Sequence, residues 1–368
     1  MLKHITIKNY KNLVIDTEFD NRIVLIIGEN GIGKTNILES IYYLCNGNQF
    51  RSSDYSSIAY GSDLNSFNLS GEFTLNNGAT QIQKSISYFE KDEEKKKKFE
   101  INDKSTNLSI FSKNTHAIIF APNSIDLISD GPEIRRNEFD DILSKISDKN
   151  KKIINDYKLT LKSRNAFLKS SQKKLSFSEA HTDKFYNFWN ERLMLTAIPL
   201  FEARMNLLNE LNESLFTFKD IFHYEENNVR LSYISKMDIA DYSNSLKHKL
   251  GNNHVKELVN GITLYGPHRD DYGFYFNEKN IKEYGSRGQQ RIATFIIKLA
   301  EINIFDKYLD RFHNTIILLL DDLPSELDEK HINNIEEIIL KINHQVFLTS
   351  TSSNFSKELL GRAKIIEL

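Results

Sequence analysis

Residues Gly28–Thr35 have the sequence GENGIGKT, which fits the pattern G-x-x-x-x-G-K-[ST] of a phosphate-binding loop. In such a loop, glycines let the backbone curl so that its N–H groups point at phosphate oxygens, and the lysine adds a full positive charge. The preceding RIVLII (Arg22–Ile27) predicts a buried strand, and the following NILESIYYL (Asn36–Leu44) predicts a helix. Because a chance glycine turn would not come with both neighbours, the sequence predicts a nucleotide site.

A second part of a nucleotide-hydrolysing site follows much later, where the apolar run Thr315–Leu320 (TIILLL) ends in Asp321 and Asp322. Two adjacent carboxylates at the end of a buried strand are costly unless a cation or a reaction uses them. A helix or loop cap would explain one aspartate but not both. We assign Asp321, with the Thr35 hydroxyl, to Mg²⁺ and Asp322 to the general base that orients the attacking water. The residues of the loop expected to bind ATP are Gly28, Glu29, Asn30, Gly31, Ile32, Gly33, Lys34, Thr35 and Asn36.

The composition indicates a globular protein. The 368 residues are 40% hydrophobic and 27% charged, and they are enough for one large domain or two. A net charge of −2 provides no general attraction to nucleic acid, so DNA binding would need local patches. The single cysteine, Cys45, excludes an internal disulfide. Without a long apolar run or a signal-peptide pattern, we expect a soluble, cytoplasmic protein with no membrane partner.

Alternating apolar and polar residues predict several strands before Phe120, beginning with Met1–Asn12. Asp20 and Asn21 predict a turn into the second strand, which would carry the phosphate-binding loop. The tripeptide Asn76-Asn77-Gly78 predicts a hairpin. We interpret the run Glu93–Lys98 (EEKKKK) as the solvated tip of a hairpin, because such runs usually lie in water and bind nothing.

From Glu133 to about Lys219 the periodicity is helical, and Pro199 is expected to break or kink one helix. Between Lys149 and Lys174 there are nine Lys or Arg residues and a single acid, Asp156. This stretch is either the hydrated face of a helical hairpin or a surface for the phosphate backbone of DNA, and the sequence does not decide between them. The candidate DNA contacts are Lys158, Lys162, Arg164 and Lys169.

The last third of the chain returns to alternating strands and helices. The predicted strands and hairpin strands lie in Phe222–Ser235, Gly273–Tyr284, Thr315–Leu320, Gln345–Thr349 and Ala363–Leu368. The predicted helices are Gln289–Phe305 and Glu326–Ile342.

Two further motifs accompany the phosphate-binding loop and the two acids, and the four features follow one another along the chain in an order typical of a known superfamily. The segment Tyr284–Arg291 (YGSRGQQR) contains S-x-G-Q before a predicted helix, and Ser325–Asp328 (SELD) follows the acids. The whole set resembles the ATP-binding-cassette ATPases, including their chromosome-maintenance and DNA-repair branch. The resemblance implies an ATP and Mg²⁺ site shared between two subunits, with catalytic roles for Lys34, Asp322 and Ser286. The residues expected to cap the γ-phosphate held by the other subunit are Ser286, Gly288 and Gln289.

Within that superfamily, several segments resemble the RecF family of bacterial DNA replication and repair ATPases. They are Ile5–Asn12 (IxIxNYKN), Gly47–Ser52 (GNQFRS), Asp130-Gly131-Pro132, Arg135-Arg136, Tyr157 with Leu161–Lys169 (LKSRNAFLK), and Gly266–Asp271 (GPHRDD). The resemblance implies an ATP-dependent homodimer that binds gaps and single-strand/double-strand junctions in DNA. It also implies a nucleoid-associated protein with RecR and RecO as partners in loading RecA. The ATPase it implies is weak and stimulated by DNA, and its slow hydrolysis of ATP sets the time until the protein leaves DNA.

The predicted fold is α/β, with a split ABC-type P-loop ATPase head, an antiparallel β subdomain and an inserted α-helical lobe. Residues 1–130 would form the first part of the head, 131–255 the helical lobe, and 256–368 the part of the head with the signature motif and the two acids. Where the family usually has Pro-Glu-Asp-Leu, Pro122–Ile125 reads PNSI, so no ligand is assigned at the glutamine loop. Asp322, shorter than the glutamate usual at its position, predicts slow turnover.

Alternative functions are the energy subunit of a membrane transporter, an ATPase-gated nuclease of the overcoming-lysogenization type, and a DNA clamp without turnover. A transporter subunit would have a much shorter gap between the loop and S-x-G-Q, and a histidine where Thr349-Ser350-Thr351 stand. Lys11 and Arg51 are candidates for phosphate contact, although a surface ion pair would explain each almost as well. Arg269 is a further candidate, and we interpret His268 as a structural histidine.

Overall fold

The chain divides into two units in the computed structural model. The structure describes residues 1–50, 53–62, 64–75, 78–91, 94–173, 179–218, 229–309, 314–323 and 329–368. The first unit contains Met1–Ser124 and Glu301–Leu368, and the second contains Ile125–Ala300. Residues 256–300, which the sequence assigns to the ATPase head, belong to the second unit in this division. The assignment of functions to 1–130, 131–255 and 256–368 stays a prediction.

The helices and strands are as follows, in chain order. The strands are β1 (Leu2–Tyr10), β2 (Leu13–Glu18), β3 (Ile23–Ile27), β4 (Ser66–Leu75), β5 (Thr80–Lys91), β6 (Glu94–Ile101), β7 (Lys104–Thr106), β8 (Thr115–Phe120), β9 (Val229–Ile234), β10 (Asp271–Phe276), β11 (Lys279–Asn280), β12 (Thr315–Leu320), β13 (Gln345–Ser350) and β14 (Ala363–Glu367). The helices are α1 (Lys34–Asn46), α2 (Leu108–Phe111), α3 (Asp126–Ser129), α4 (Pro132–Ile146), α5 (Asp148–Lys173), α6 (Glu179–Phe216), α7 (Tyr242–Asn252), α8 (His254–Asn260), α9 (Ile281–Tyr284), α10 (Arg287–Leu309), α11 (Glu329–Lys341) and α12 (Lys357–Arg362).

A parallel sheet carries the phosphate-binding loop in the first unit. In the described part of the chain its strand order is β14-β3-β13-β12-β8, and every neighbouring pair is parallel. Strands β12 and β13 are buried along their whole length, which explains the continuous apolar run of β12 (TIILLL) and the shorter one of β13 (VFL). Because the carboxyl ends of parallel strands meet at one edge, the loop after β3 and the acids after β12 come to the same edge of the sheet.

An antiparallel sheet forms the other layer of the first unit. Among the described residues its strand order is β2-β1-β4-β5-β6-β7. One continuous core joins this sheet to α1 and to the parallel sheet, and it includes Leu44, Leu69 and Leu319. Within this core the rings of Phe67 and Tyr88 stack at 5.5 Å. Helix α1 is therefore packed against both sheets, which fixes the direction of the loop that precedes it.

A buried lysine links the antiparallel sheet to the end of α1. Lys84 of β5 is fully buried, and its ammonium donates to the Thr115 hydroxyl at 2.6 Å and to the Cys45 carbonyl at 3.2 Å. The ammonium also lies 4.3 Å from the centre of the Phe111 ring. Burial lowers the pKa of Lys84 to about 7. A cation near the last carbonyls of a helix is favoured by the helix dipole, which offsets part of the cost of burying it.

Two local predictions are wrong, and one of two alternatives for Pro199 is excluded. The phosphate-binding loop follows the third strand and not the second, because β2 is not predicted from the sequence. The prediction misses β2 because Val14 points to solvent and breaks the alternation of apolar and polar residues. The lysines of the charged run lie inside β6, which starts at Glu94 and pairs with β5, and not at a hairpin tip; Glu93 lies outside the described residues. Pro199 lies inside α6, so it does not break this helix, and the alternative of a kink stays a prediction.

The other predicted elements that fall on described residues are confirmed in type. Pairing of Leu75 with Thr80 confirms the β4–β5 hairpin, although residues 76–77 lie outside the described ranges. The strand predicted within Phe222–Ser235 is β9. The predicted hairpin of Gly273–Tyr284 is β10 with β11 as far as Asn280, and Ile281–Tyr284 forms the short helix α9 instead. None of the described helices combines the length and apolar character that crossing a bilayer requires.

The second unit is a group of helices with a small antiparallel sheet, whose order in the described ranges is β11-β10-β9. Its interior contains paired charges. Arg204 donates to both carboxylate oxygens of Asp140, at 2.9 and 3.0 Å, and all of these groups are buried. Such pairs are retained where removing one partner would leave an uncompensated charge in the core.

Candidate nucleotide-binding site

The phosphate-binding loop connects β3 to α1 with the geometry that its glycines predict. Gly31 and Gly33 have φ angles of 83° and 123°, in the region that favours glycine. A Cβ atom added to Gly33 would lie 2.8 Å from Leu13 Cδ2. Helix α1 begins at Lys34, and its N-cap makes no side-chain hydrogen bond to the first turn. The loop therefore presents the positive end of a helix where an anion can approach the backbone.

Lys34 places its charge inside this loop. The side chain is 7% exposed, and the ammonium donates to the carbonyl oxygens of Gly28 at 2.7 Å and Glu29 at 2.9 Å. These two bonds fold the lysine back across the loop. A phosphate held by the loop would meet both the backbone and a charged donor, and charge-assisted hydrogen bonds of this kind are the strong ones.

The predicted magnesium ligands are in direct contact. The Thr35 hydroxyl donates to the two carboxylate oxygens of Asp321 at 2.9 and 3.0 Å, and Asp321 is 3% exposed. A hydroxyl and a carboxylate at the mouth of a phosphate-binding loop fit Mg²⁺, which takes oxygen ligands and is usually held by one or two carboxylates with substrate phosphates. Among the described residues there is no group of three or more His, Cys, Asp or Glu able to hold a metal.

Asp322 follows Asp321 in an unusual backbone conformation. Its φ is 51°, and its N–H donates to the Thr349 hydroxyl at 2.9 Å. Thr349, which is fully buried, donates in turn to Asp321 Oδ1 at 2.8 Å. The sequence singles out Thr349 only as standing where transporters have a histidine. Its contacts depend on the register of β12 against β13, and no sequence motif signals them.

Asn12 also contacts the loop and was not singled out. Its side-chain amide donates to the Ile32 carbonyl at 3.0 Å and accepts from the Asn36 amide at 2.6 Å. Asn12 is the last residue of the motif IxIxNYKN, so the sequence contains a signal for this residue but does not indicate its function. The neighbouring Lys11 makes an ion pair with Glu39. Of the two alternatives for Lys11, a phosphate contact or an ion pair, the structure shows the ion pair.

Ser286 caps the helix that follows it. Its hydroxyl accepts from the Gln289 N–H at 3.2 Å, and the Gln289 side chain accepts from the Ser286 N–H at 2.9 Å. This reciprocal pair is a capping box at the start of α10. Ser286 and Gly288 are exposed, and a Cβ at Gly288 would have Ser286 Oγ as its nearest neighbour, at 3.9 Å. The segment is therefore a capped and accessible helix N-terminus.

Two of the other resemblance motifs, within residues 130–136 and 266–271, contact one another inside the second unit. Arg135 donates to both carboxylate oxygens of Asp271, at 2.7 and 2.9 Å, and to the Asp130 carbonyl at 2.8 Å. Arg136 donates to the Asp270 carbonyl at 2.8 Å. Through these contacts, the segments 130–136 and 266–271 hold each other in place.

His268 is an internal structural histidine, as expected. The distance from its Nδ1 to the Tyr157 hydroxyl is 2.6 Å, and the distance from its Nε2 to the Thr263 carbonyl oxygen is 3.0 Å. Burial lowers the pKa of His268 to about 4, so the ring is neutral at physiological pH. The guanidinium of Arg269 points towards the same carbonyl, at 3.3 and 3.4 Å.

The structure corrects one DNA-contact candidate. Arg164 is fully buried and donates to Glu257 at 2.5 Å, to the Thr263 hydroxyl at 2.8 Å and to Asn190 at 2.7 Å. A guanidinium in this position is unavailable to a DNA phosphate. Sequence periodicity placed it in a basic run but could not reveal its acidic partner, 93 positions away.

The other candidates of that run are exposed, namely Lys158, Lys162 and Lys169. Arg51 and the segment Ser325–Asp328 lie outside the described residues. Pro122–Ile125 forms a 3-10 turn after β8, and its Ser124 hydroxyl accepts from the Ala121 N–H at 2.8 Å. No ligand role is assigned to that turn.

Removing the Arg164 side chain should destabilise the protein strongly. Arg164→Ala leaves Glu257 as a buried carboxylate without its guanidinium, and breaking a buried ion pair in this way costs about 3–5 kcal/mol. Urea unfolding followed by circular dichroism measures the loss. The matched control is Lys162→Ala on the exposed face of the same helix, for which a change within about 0.5 kcal/mol is expected. Equal stabilities of the two variants would contradict the ion pair.

The comparisons with known proteins agree with this geometry. The family model for the RecF/RecN/SMC N terminal domain matches residues 1–366. A Lacticaseibacillus paracasei protein named DNA replication and repair protein RecF is 30% identical over 377 residues, covering 100% of this chain and 97% of that protein. The chain belongs to the RecF family. Another RecF relative, from Enterococcus faecalis, is 32% identical and covers 98% of this chain and 94% of its own length.

Solved structures of RecF proteins share the fold. A structure of the recombination mediator protein RecF with ATP in the RecFOR pathway aligns with a TM-score of 0.81 at 26% identity, covering 96% of this chain and 93% of that one. An Smc head domain bound to ScpA, from Pyrococcus furiosus, aligns over 100% of this chain and 92% of its own with a TM-score of 0.55 at 14% identity. The predicted α/β fold of the ATPase-head type is thus confirmed, as is the predicted RecF resemblance.

Proposed function

We propose that this protein is an ATP-dependent DNA-binding ATPase of recombinational repair and replication restart. The observation that carries the proposal is the contact of Thr35 with Asp321 beside a loop that encloses the Lys34 ammonium. This arrangement supports the proposal because it brings the loop, the Thr35 hydroxyl and the Asp321 carboxylate to one edge of the sheet. The names of the RecF relatives support DNA replication and repair as the setting.

In the proposed reaction, the loop backbone and Lys34 bind the ATP phosphates, and Thr35 with Asp321 would hold Mg²⁺. Bound Mg²⁺ would neutralise charge on the phosphate oxygens. Asp322 accepts a proton from the attacking water and orients it towards the γ-phosphate. Its side chain is one carbon shorter than a glutamate, which favours slow turnover. Slow hydrolysis then sets how long the protein stays on DNA.

The second half of the site comes from another copy of the chain. The Ser286 hydroxyl uses a lone pair to accept from the Gln289 N–H, so its own proton is left to donate to a γ-phosphate. The absence of a side chain at Gly288 leaves room for close approach, and α10 adds its positive end. ATP would therefore join two subunits, and its hydrolysis would release them.

Exposed lysines of α5 are the proposed DNA surface. Lys158, Lys162 and Lys169 are spaced by four and seven positions, which places them on one face of the helix. The half-buried Lys151 lies seven positions before Lys158 on the same face, so the row with Lys151 included is about 27 Å long. Such a row matches the repeating charge of a nucleic acid backbone. Gapped or junction DNA is the proposed substrate, and RecR with RecO the proposed partners in loading RecA.

Removing three of these charges should weaken the binding of DNA whatever its base sequence. For the variant with Lys158, Lys162 and Lys169 replaced by alanine, we expect at least about tenfold lower affinity and a salt slope smaller by about 2 to 3, since each phosphate contact contributes about 0.9. Fluorescence anisotropy with gapped DNA between low and moderate salt measures both. The control replaces Lys95, Lys96 and Lys98 of β6, which pair with neighbouring glutamates. An unchanged slope in the α5 variant would move the DNA path off this helix.

The direct test of the proposed function is the ATPase rate per subunit as a function of protein concentration, with and without gapped DNA. A site shared between two subunits predicts a rate that rises with concentration, and a DNA-gated switch predicts a further rise with DNA. A rate that ignores both variables would exclude the dimeric, DNA-dependent mechanism. Adding RecR, with or without RecO, and measuring RecA assembly on the same DNA tests the proposed partners.

A further inference from the structure

Thr349 lies between the two parts of the nucleotide site. It is the fifth residue of β13 and pairs with Ile26 of β3, the strand that leads into the phosphate-binding loop. On its other side, β13 pairs with β12 as far as Leu348 opposite Leu320. Thr349 is therefore beside Asp321, the first residue after β12. Its position connects the strand before the loop with the strand before the acids.

Its hydroxyl makes two hydrogen bonds, one to each acidic residue. It donates to Asp321 Oδ1 at 2.8 Å and accepts from the Asp322 N–H at 2.9 Å. A hydroxyl has one proton and two lone pairs, so both bonds can exist together. Because Thr349 is fully buried, water cannot replace either bond at this position.

The two bonds control different features of the site. The bond to Asp321 fixes the rotation of a carboxylate that also accepts from Thr35, at 2.9 and 3.0 Å. The bond from Asp322 holds a residue whose φ of 51° is uncommon outside glycine. Strained backbone of this kind persists where its surroundings hold it, and such positions cluster at functional sites.

We propose that Thr349 is a positioning residue of the ATPase, which orients Asp321 towards Mg²⁺ and sets the backbone of Asp322 for the attacking water. The inference rests on the proposed ATPase function. It adds a residue from a third strand that touches neither phosphate nor metal and acts through both acids. A purely structural hydroxyl would affect folding stability alone, whereas a positioning hydroxyl also changes how the site responds to Mg²⁺.

Substitutions that remove or keep the hydroxyl test this role. Thr349→Val removes it, and we expect about 10- to 100-fold weaker Mg²⁺ activation with a kcat lower by a similar factor, as for other groups that orient metal ligands. ATP affinity in EDTA, which depends on the loop and Lys34, should change less than about twofold. Thr349→Ser keeps the hydroxyl and should restore Mg²⁺ activation to within about threefold of the wild type.

The control is Ser40→Ala, which removes another buried hydroxyl of the first unit, one that donates to the Ile37 carbonyl of its own helix. It should leave Mg²⁺ activation unchanged. If Thr349→Val matches the wild type in Mg²⁺ activation and kcat, or if Thr349→Ser is as defective as Thr349→Val, the positioning role is wrong while the ATPase proposal stands. A wild-type protein without Mg²⁺-dependent ATP hydrolysis would overturn both.

Discussion

Lys34→Ala should lower the affinity for ATP by about 100-fold or more, because a charge-assisted donor to the phosphates is lost. The side chain contributes a positive charge that is 7% exposed and held inside the loop by the Gly28 and Glu29 carbonyls. Alanine is compatible with the first position of a helix, so α1 should still form. Equilibrium binding of a fluorescent ATP analogue measures the loss directly.

Thermal unfolding gives a second readout of the same variant. A ligand at about 100 times its dissociation constant stabilises the protein that binds it by about 2.7 kcal/mol, so ATP should raise the wild-type melting temperature and leave that of Lys34→Ala unchanged. The control is Lys364→Ala, which also removes a lysine that donates to a backbone carbonyl, that of Glu18 at 2.6 Å. ATP affinities of Lys34→Ala and Lys364→Ala within threefold of each other would exclude Lys34 from the site.

Asp322→Asn should reduce the ATPase rate by about 100- to 10,000-fold, the range expected when a general base is lost. The amide has nearly the same shape as the carboxylate but cannot take a proton from water. Asparagine tolerates a φ near 51°, so the backbone and its bond to Thr349 should persist. ATP should therefore still bind, and the variant should accumulate as an ATP-bound dimer. Steady-state ATPase assays and light scattering with ATP measure the two effects.

Asp103→Asn is the matched control, since Asp103 also has a positive φ, 60°, but lies in the turn between β6 and β7. It should leave rate and oligomeric state unchanged. Wild-type turnover by Asp322→Asn would remove Asp322 as the base. A slow but monomeric Asp322→Asn would keep the base and reject the ATP-joined dimer.

The local parts of the site could be predicted from the sequence. The loop of Gly28–Thr35 and the acids Asp321 and Asp322 follow strands whose apolar runs are unambiguous, because those strands are buried on both faces. Contact between Thr35 and Asp321 then follows from the rule that parallel strands end at the same edge. Local chemistry and sheet geometry together were sufficient for this part.

Features that depend on distant partners could not be predicted. Arg164 and Lys162 belong to the same basic run, yet one is buried against Glu257 and the other is exposed. Helical periodicity shows which residues share one face of a helix, but not which other part of the chain packs against that face. The role of Thr349 likewise depends on strand register, and Lys11 faces Glu39 only after β1 packs near α1.

The position of β3 in the parallel sheet has a consequence for synthesis of the protein. Both neighbours of β3, β13 and β14, come from the last part of the chain, residues 345–367. While the ribosome is still making the intervening segments, the strand that leads into the nucleotide loop has two open edges. Open apolar edges invite pairing with other chains. Nucleotide binding and protection of this strand from aggregation should therefore begin together, when the final strands emerge.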